Sequence, residues 1–484
     1  MLALRWLRVI LSAALGMRTS LAAMRRKLRY LTLHPFPTDT EDGRAAERMR
    51  RVALAALAAL LGKVASAFTV LLSVPLTISY LGSERYGLWL TVSSIIAMLN
   101  FADFGIGNGL ITKVAEAAGR CDNRGTQVLV SSAFAMLCVI AFALSLASTV
   151  VCPHVHWAQL LNIKSTAVEN EVPRAILTLG LITFFAMPIS VVVRVQSGLQ
   201  QGFQVALWSM AGTLASLVAL VMATRMRMGL VGLILAVSGT PVLVTVVNFA
   251  WCFGMKLRPL RPRLRLAQRQ PAFGLLRMGA LFVVLQLSAA LAFVSDNIVI
   301  ANRLGSGAVA QLAIPAKLFT LVMLPVVMMV NPLWPAYGEA QARGDVAWIR
   351  RTLTLSTLFA VIFTAFAGLV AVALGPFVIR HWSRHAVDPA LGVLIALAVW
   401  TTLSAWGHSV AALLNGTGKI LGQAIVSVLF AVTAFSLKWL FVEKWGVSGV
   451  VWATTISYAV IVVVPISILI RRTLATAAKV ENQA

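Results

Sequence analysis

The sequence predicts an all-α polytopic membrane protein, with about twelve transmembrane helices in two six-helix lobes related by a pseudo-twofold axis along the membrane normal. Three observations predict it. Long apolar stretches fill nearly the whole chain from Leu54 to Ile470, a strongly basic segment divides them six and six, and the second half repeats the first at a fixed offset. Hydrophobic residues make up 59% of the 484 residues and charged ones 12%, with a mean hydropathy of +0.87. A soluble chain of that size needs more polar surface, whereas in a bilayer lipid replaces water as the solvent.

Each spanning helix needs roughly 20 apolar residues. In the first half such stretches fall near 54–80, 87–112, 127–151, 173–195, 203–224 and 229–254. In the second they fall near 276–302, 308–334, 351–374, 388–413, 420–441 and 446–470. Pro75, Pro188, Pro241, Pro325 and Pro465 lie inside spans, which lipid-embedded helices tolerate when neighbours satisfy the freed backbone. The chain therefore divides into a basic extension 1–53, a first lobe 54–254, a basic linker 255–275, a second lobe 276–471 and a tail 472–484.

The extension is unusual. Met1 to Ala23 is an amphipathic, arginine-dotted stretch, followed by Arg25-Arg26-Lys27 and a polar run from Pro35 to Glu47. A signal peptide has its charges first and a cleavage site after the apolar run, the reverse of this order. The sequence favours a chain that starts near Met24 or Met49 over a helix lying on the membrane surface.

Lys and Arg set the orientation. The end segments and even-numbered loops hold Lys113, Arg120, Arg124, Lys256, Arg258, Arg261, Arg263, Arg265, Arg343, Lys419 and others, against few in the opposite loops. Both termini are expected to be cytoplasmic. Arg225 and Arg227 break this pattern locally. The net charge of +25 sits beside spans rather than on a hydrophilic face, which points to membrane lipids and excludes nucleic acid as the partner. Cys121, Cys138, Cys152 and Cys252 match no zinc or disulfide spacing. The loop histidines His154, His156, His381 and His385 lack the carboxylates or cysteines of a zinc site. No P-loop, ATPase signature or nucleophile–base pair occurs, so a transporter without cofactors is expected rather than an enzyme.

The repeat is explicit. Leu81-Gly82-Ser83 matches Leu304-Gly305-Ser306, Asn108 matches Asn331, Glu116-Ala117 matches Glu339-Ala340, Arg120 matches Arg343 and Asp122 matches Asp345, all at an offset of 223 residues. Gly229 and Gly232 match Gly446 and Gly449 at an offset of 217. Halves with six spans each insert in the same orientation, and such parallel repeats place a substrate site at the midplane between them.

A charge deep in a bilayer costs at least about 2.5 kcal/mol and usually faces a cavity or a partner. Lys63 and Lys317 each lie roughly 14 Å from the start of their span, one in each lobe, where two cations would attract an anionic substrate. Lys317 has a second reading, as the ion-pair partner of Asp296. Lys438, near the outer end of its span, is read as snorkelling. The run Asp103-Phe104-Gly105-Ile106-Gly107-Asn108-Gly109 lacks the strand and spacing of a dinucleotide loop. Its glycines permit close packing or a break in the span, with Asp103 capping the second segment.

The block Val74-Pro75-Leu76-Thr77-Ile78-Ser79-Tyr80-Leu81-Gly82-Ser83-Glu84-Arg85-Tyr86-Gly87-Leu88-Trp89 resembles the opening of polysaccharide, or O-antigen, flippases of the Wzx type, and Asp103 to Gly109 resembles their second-span motif. Asp296 and the Leu304-Gly305 turn match a weaker pattern. The likeness covers about Met49 to Arg472. It implies the architecture of the multidrug/oligosaccharidyl-lipid/polysaccharide exporter superfamily, MATE-like, around a central cationic cavity. It implies an undecaprenyl-pyrophosphate-linked oligosaccharide as cargo, with a polysaccharide polymerase as a further partner. By position it makes Lys63, Arg194, Asp296 and Lys317 candidates for the cavity, and the ion-coupling carboxylates are expected to be Asp296 and Asp103. The rival readings are a multidrug antiporter of the same superfamily, for which the lysines have the wrong sign, and a membrane polysaccharide polymerase or ligase, for which the outer loops are short.

Overall fold

In lipid, a spanning segment must satisfy its own backbone hydrogen bonds, and a helix does so within one segment. The computed structural model describes residues 34–98, 103–155, 157, 171–382 and 388–468, which form helices with no strand among them. The arginine-dotted stretch 1–23, His156, Lys164, His385, Arg471 and Arg472 lie outside the described residues.

The first half comprises α1 (Glu41–Met98), α2 (Ile106–Gly119), α3 (Asn123–Val151), α4 (Val172–Ile189), α5 (Val191–Gly198), α6 (Gly202–Arg225) and α7 (Gly229–Lys256). The second comprises α8 (Arg269–Leu304), α9 (Ser306–Val330), α10 (Leu333–Ala342), α11 (Val346–Trp382), α12 (Leu391–Gly416) and α13 (Ile420–Tyr458). Ten helices among the described residues are long and apolar enough to cross a membrane. The last of them, Ile420–Ile468, folds back at Gly446 (φ 57°, ψ −141°) and holds two spans, and α2 with the helix before it supplies another. About twelve spans result.

The sequence places a turn at Leu81-Gly82-Ser83. The backbone instead stays helical from Glu41 to Met98. No proline follows Leu81 within α1 to withdraw an N–H, so nothing in the peptide chain itself obliges the helix to stop there. The side chains of residues 82–98, and with them much of the 74–89 block, lie outside the described ones. Helix formation also begins before residue 54, since Glu41 to Ala53 are the first turns of α1.

One end of the molecule carries the basic loops and the start of α1, and is called here the basic end. The far end carries the α6–α7 turn and Gly446. Each lobe has a core toward each end. In the first lobe Leu81, Leu179, Leu220, Leu230 and Ile234 pack at the far end. Ile106, Leu110, Val130, Val195 and Phe253 pack toward the basic end. The linker belongs to the first lobe, with Leu260 in that core and its backbone donating from Arg263 and Gln268 to Ser131 and Ser132.

The axis can be located from contacts. A residue touches its own repeat counterpart only beside a twofold axis, and two such pairs do so between α2 and α10. A Cβ on Gly338 would lie 3.1 Å from Cβ of Ala115, and one on Gly119 would lie 2.6 Å from Cβ of Ala342. Both pairs stand at the offset of 223. The surrounding packing repeats too: Gly198 sits on Ile111 and Val114, while Gly416 sits on Trp334 and Tyr337. Gly229 and Gly446 both take a positive φ, at 69° and 57°.

Candidate functional site

The turn at residues 103–105, ahead of α2, lies beside the site, against Arg194. Asp103 Oδ1 accepts from the Gly105 N–H at 2.9 Å, and Gly105 takes φ 69° before α2 begins. The expected break is present, but Asp103 does not cap α2: Gly105 is the N-cap, no side chain bonds the first turn, and Asp103 holds the turn that precedes it. The glycines have separate tasks. Gly105 lies against the backbone of Gly279 in the other lobe, where any Cβ would strike the carbonyl. Gly107 leaves space for Arg194, whose Nε would lie 2.7 Å from an added Cβ.

Arg194, on α5, is held beside this loop. Its Nη1 donates to Asn108 Oδ1 at 3.4 Å, and Nη2 stands 3.9 Å from Asp103 Oδ2. Its side chain keeps 36% of its surface exposed. That exposed surface faces a cavity of about 630 Å³ between the lobes. Arg51, Lys63, Asn108 and Arg194 line it from the first lobe, and Leu324, Met328, Asn331 and Trp334 from the second. Asn108 and Asn331, and likewise Ile111 and Trp334, are repeat counterparts, so the cavity straddles the axis.

The electrostatics have one sign. No carboxylate is among the described lining residues. Lys63 has no ion pair among the described residues, Arg194 has only the distant Asp103, and Arg51 is bound by Glu47 Oε1 at 2.9 Å. A space with low-dielectric walls and a surplus of lining cations concentrates anions. Arg51 was not legible as a site residue in the sequence, where it reads as part of a basic leader. The signal is helical spacing: residues 52, 55, 59, 62, 63 and 66 all reach the cavity, and Arg51 lies on that face.

Two expectations need correction. Lys317 is not the partner of Asp296. It is exposed, on the α9 face that carries Leu324 and Met328, about 10 Å nearer the far end than Leu324. It does not line the cavity. Asp296 pairs instead with Lys438, Nζ to Oδ1 at 2.5 Å, and Lys438 also donates to the Ala292 carbonyl and to Ser295 Oγ at 3.2 Å. Lys438 is fully buried and does not snorkel. Its face of α13 packs on α8, where a carboxylate and a carbonyl are within reach and water is not. Asp296 lines a separate recess of about 250 Å³ inside the second lobe with Phe319, Trp400 and Thr401. The structure thus brings Lys63, Arg194 and Asp103 together and leaves Asp296 and Lys317 elsewhere. Among the described residues no three His, Cys, Asp or Glu could hold a metal.

At the basic end the lobes are tied together. Arg48, 2% exposed at the start of α1, pairs with Asp345 beyond α10, and its Nε lies 3.6 Å from Glu339 Oε2. Arg44 Nη2 lies 3.7 Å from Asp345 Oδ1. The Arg48 guanidinium stacks 5.0 Å over the Trp348 ring. Gln200, between α5 and α6, donates to Glu339. Higher up, Thr112 Oγ1 donates to the Asn415 carbonyl at 3.0 Å and accepts from Trp334 Nε1 at 3.1 Å.

Comparison with known proteins bears on what this geometry serves. Residues 54–341 match the family described as polysaccharide biosynthesis protein. A Salmonella typhi protein named as an O-antigen transporter is 21% identical over 424 residues, 86% of this chain and 95% of its own. A Yersinia pseudotuberculosis protein named as an O-antigen export protein is 20% identical, over 83% of this chain and 91% of its own. Among solved structures, a MATE transporter in its bent conformation superposes with a TM-score of 0.76 at 17% identity, covering 90% of this chain and 98% of that one. An outward-facing multidrug resistance MATE transporter of the MOP superfamily gives 0.74 at 16%, covering 89% and 96%. A MOP superfamily transporter from Pyrococcus furiosus gives 0.73 at 16%, also over 89% and 96%, and its description ties a binding pocket of reversed polarity to a different function. The fold is that of the MATE transporters.

Proposed function

The chain belongs to the polysaccharide biosynthesis protein family, and from that premise we propose that it is a flippase for a lipid-linked oligosaccharide of the undecaprenyl-pyrophosphate type. The carrying observation is the inter-lobe cavity lined by Lys63, Arg194 and Arg51 with no lining carboxylate among the described residues. A pyrophosphate is the part of such a cargo that this cavity attracts, and the names of the O-antigen relatives support the saccharide. In this reading the basic end is cytoplasmic, both termini lie on that side of a bacterial inner membrane, and the cargo leaves at the far end toward a polysaccharide polymerase. Lys317, further out on the same α9 face, extends the positive potential toward the exit. Rocking of the two lobes about the Ala115–Gly338 seam gives alternating access.

Asp296 is the coupling carboxylate of this scheme. A proton or sodium ion reaching it competes with Lys438, and so loosens α8 from α13. Asp103 acts on the cavity itself, by holding Arg194.

The MATE fold also fits a multidrug antiporter, but a cationic drug meets repulsion from Lys63 and Arg194. Replacement of either by Ala, in a strain whose own flippase is deleted, should lower surface polysaccharide about tenfold, the effect of roughly 1.4 kcal/mol, at unchanged protein level by immunoblot. Undiminished export by both variants, or drug resistance conferred on a pump-deficient strain, would move the assignment to the antiporter.

A further inference from the structure

We propose that Arg48, with Arg44 and Gln200, forms a latch that closes the cytoplasmic mouth of the cavity and must open for cargo to load. The inference rests on the alternating-access reading above and adds the residues that hold one state of it.

The face of α1 supports it first. Arg44, Arg48 and Val52 recur at four-residue spacing, and Ala55, Ala59 and Gly62 continue the same stripe upward. The upper part of this stripe lines the cavity. The lower part enters the opposite lobe: Val52 is buried in that lobe's core with Tyr337, Trp348 and Leu413, and Ala45 packs against it. One helix face thus forms the cavity wall above and the plug below.

The chemistry supports it second. Arg48 is nearly inaccessible, and so are Asp345 and Trp348. Its acidic partners belong to the second lobe, while Arg44, Arg48 and Gln200 belong to the first. No movement of one lobe away from the other at this end can keep these pairs. Yet Arg48 Nε and Nη1 make no hydrogen bond, so the pair is incompletely satisfied, and such a buried pair suits a switch better than a permanent tie.

The repeat supports it third. Glu116 and Asp122 occupy the equivalent positions in the first lobe, and among the described residues they bond only within their own lobe: Glu116 to Lys113 and Arg120, and Asp122 to the Gly125 N–H. The closure is a property of one lobe's acidic residues, not a by-product of the duplicated fold.

The test measures access rather than transport. The reporter is Ser66→Cys, which puts a thiol in the cavity wall. It is labelled in membrane vesicles by an impermeant maleimide added to one side at a time. Native Cys121, exposed beside Arg120 at the basic end, reports which side is which. From the Cys121 side, Arg48→Ala should speed labelling of the introduced thiol on the order of tenfold, within the range of ordinary coupling between linked sites. The exchange Arg48→Asp with Asp345→Arg should return the rate to that of the parent. Should Arg48→Ala fail to accumulate in membranes, Gln200→Leu, which leaves Arg48 paired, should give a smaller acceleration from the same side. A parental labelling rate in the accumulating variant overturns the latch, as does equal acceleration from both sides. Because no cargo is involved, failure of the flippase assignment shows in the export assay and leaves this result standing.

Discussion

The two lobes carry the same acidic residues at the same repeat positions and bond them differently. In the first lobe Glu116 is 31% exposed and shared between Lys113 and Arg120 on its own helix, and Asp122 caps α3. In the second lobe Glu339 keeps the equivalent bond to Arg343 at 2.9 Å but is also reached by Gln200 and Arg48, and Asp345 is taken up by Arg48 and Arg44. The difference teaches that duplication supplies the groups while the neighbouring chain decides their use. Only the second lobe's pair lies under the first turns of α1.

The largest test of that contrast is to remove the two aspartates singly. Asp345→Ala strands a buried arginine and should cost about 3–5 kcal/mol, read as a lowered unfolding midpoint of the purified chain in detergent. Asp122→Ala loses a helix cap, worth about 1 kcal/mol. Equal losses would mean that both aspartates do the same job. The next test asks where the lobes still agree. Gly229→Ala and Gly446→Ala each force an L-residue into backbone of positive φ, with nothing within 4 Å of the added Cβ. Each should cost about 1–3 kcal/mol, and a neutral exchange at either would mean that positive φ is not what these glycines supply. The smallest effect belongs to Glu116→Ala, whose exposed pairs should contribute under about 1 kcal/mol. A midpoint shift as large as that of Asp345→Ala would erase the contrast between the lobes.

Much of this architecture is legible in the sequence because its determinants are local. Apolar length sets the spans, and glycine at 229 and 446 marks breaks of positive φ at matching places in the two halves. The Asp103 loop is readable for the same reason, since Asp103 and Gly105 are two residues apart. Partner choice is not local. Arg48 and Asp345 are 297 positions apart, and an arginine just before an apolar run looks the same whether it meets lipid headgroups or a buried aspartate. Lys438 shows the same limit: hydropathy gives its depth, but not that its side of α13 faces Asp296. For Lys317, depth alone cannot say which face of α9 it occupies, and it is exposed on the face that carries Leu324 and Met328.

At the seam, each level accommodates one methyl group. Ala115 faces Gly338, and Gly119 faces Ala342, so the lobe that gives up its Cβ alternates from one level to the next. Two identical halves meeting across a true dyad could not do this. Each position would confront its own copy, and alanine against alanine would bring Cβ atoms to 3.1 Å at one level and 2.6 Å at the other, so the first level would be crowded and the second would need glycine on both sides. A single chain carries no such constraint, since its halves can differ at each level, and here alanine on one side fills the space that glycine leaves on the other.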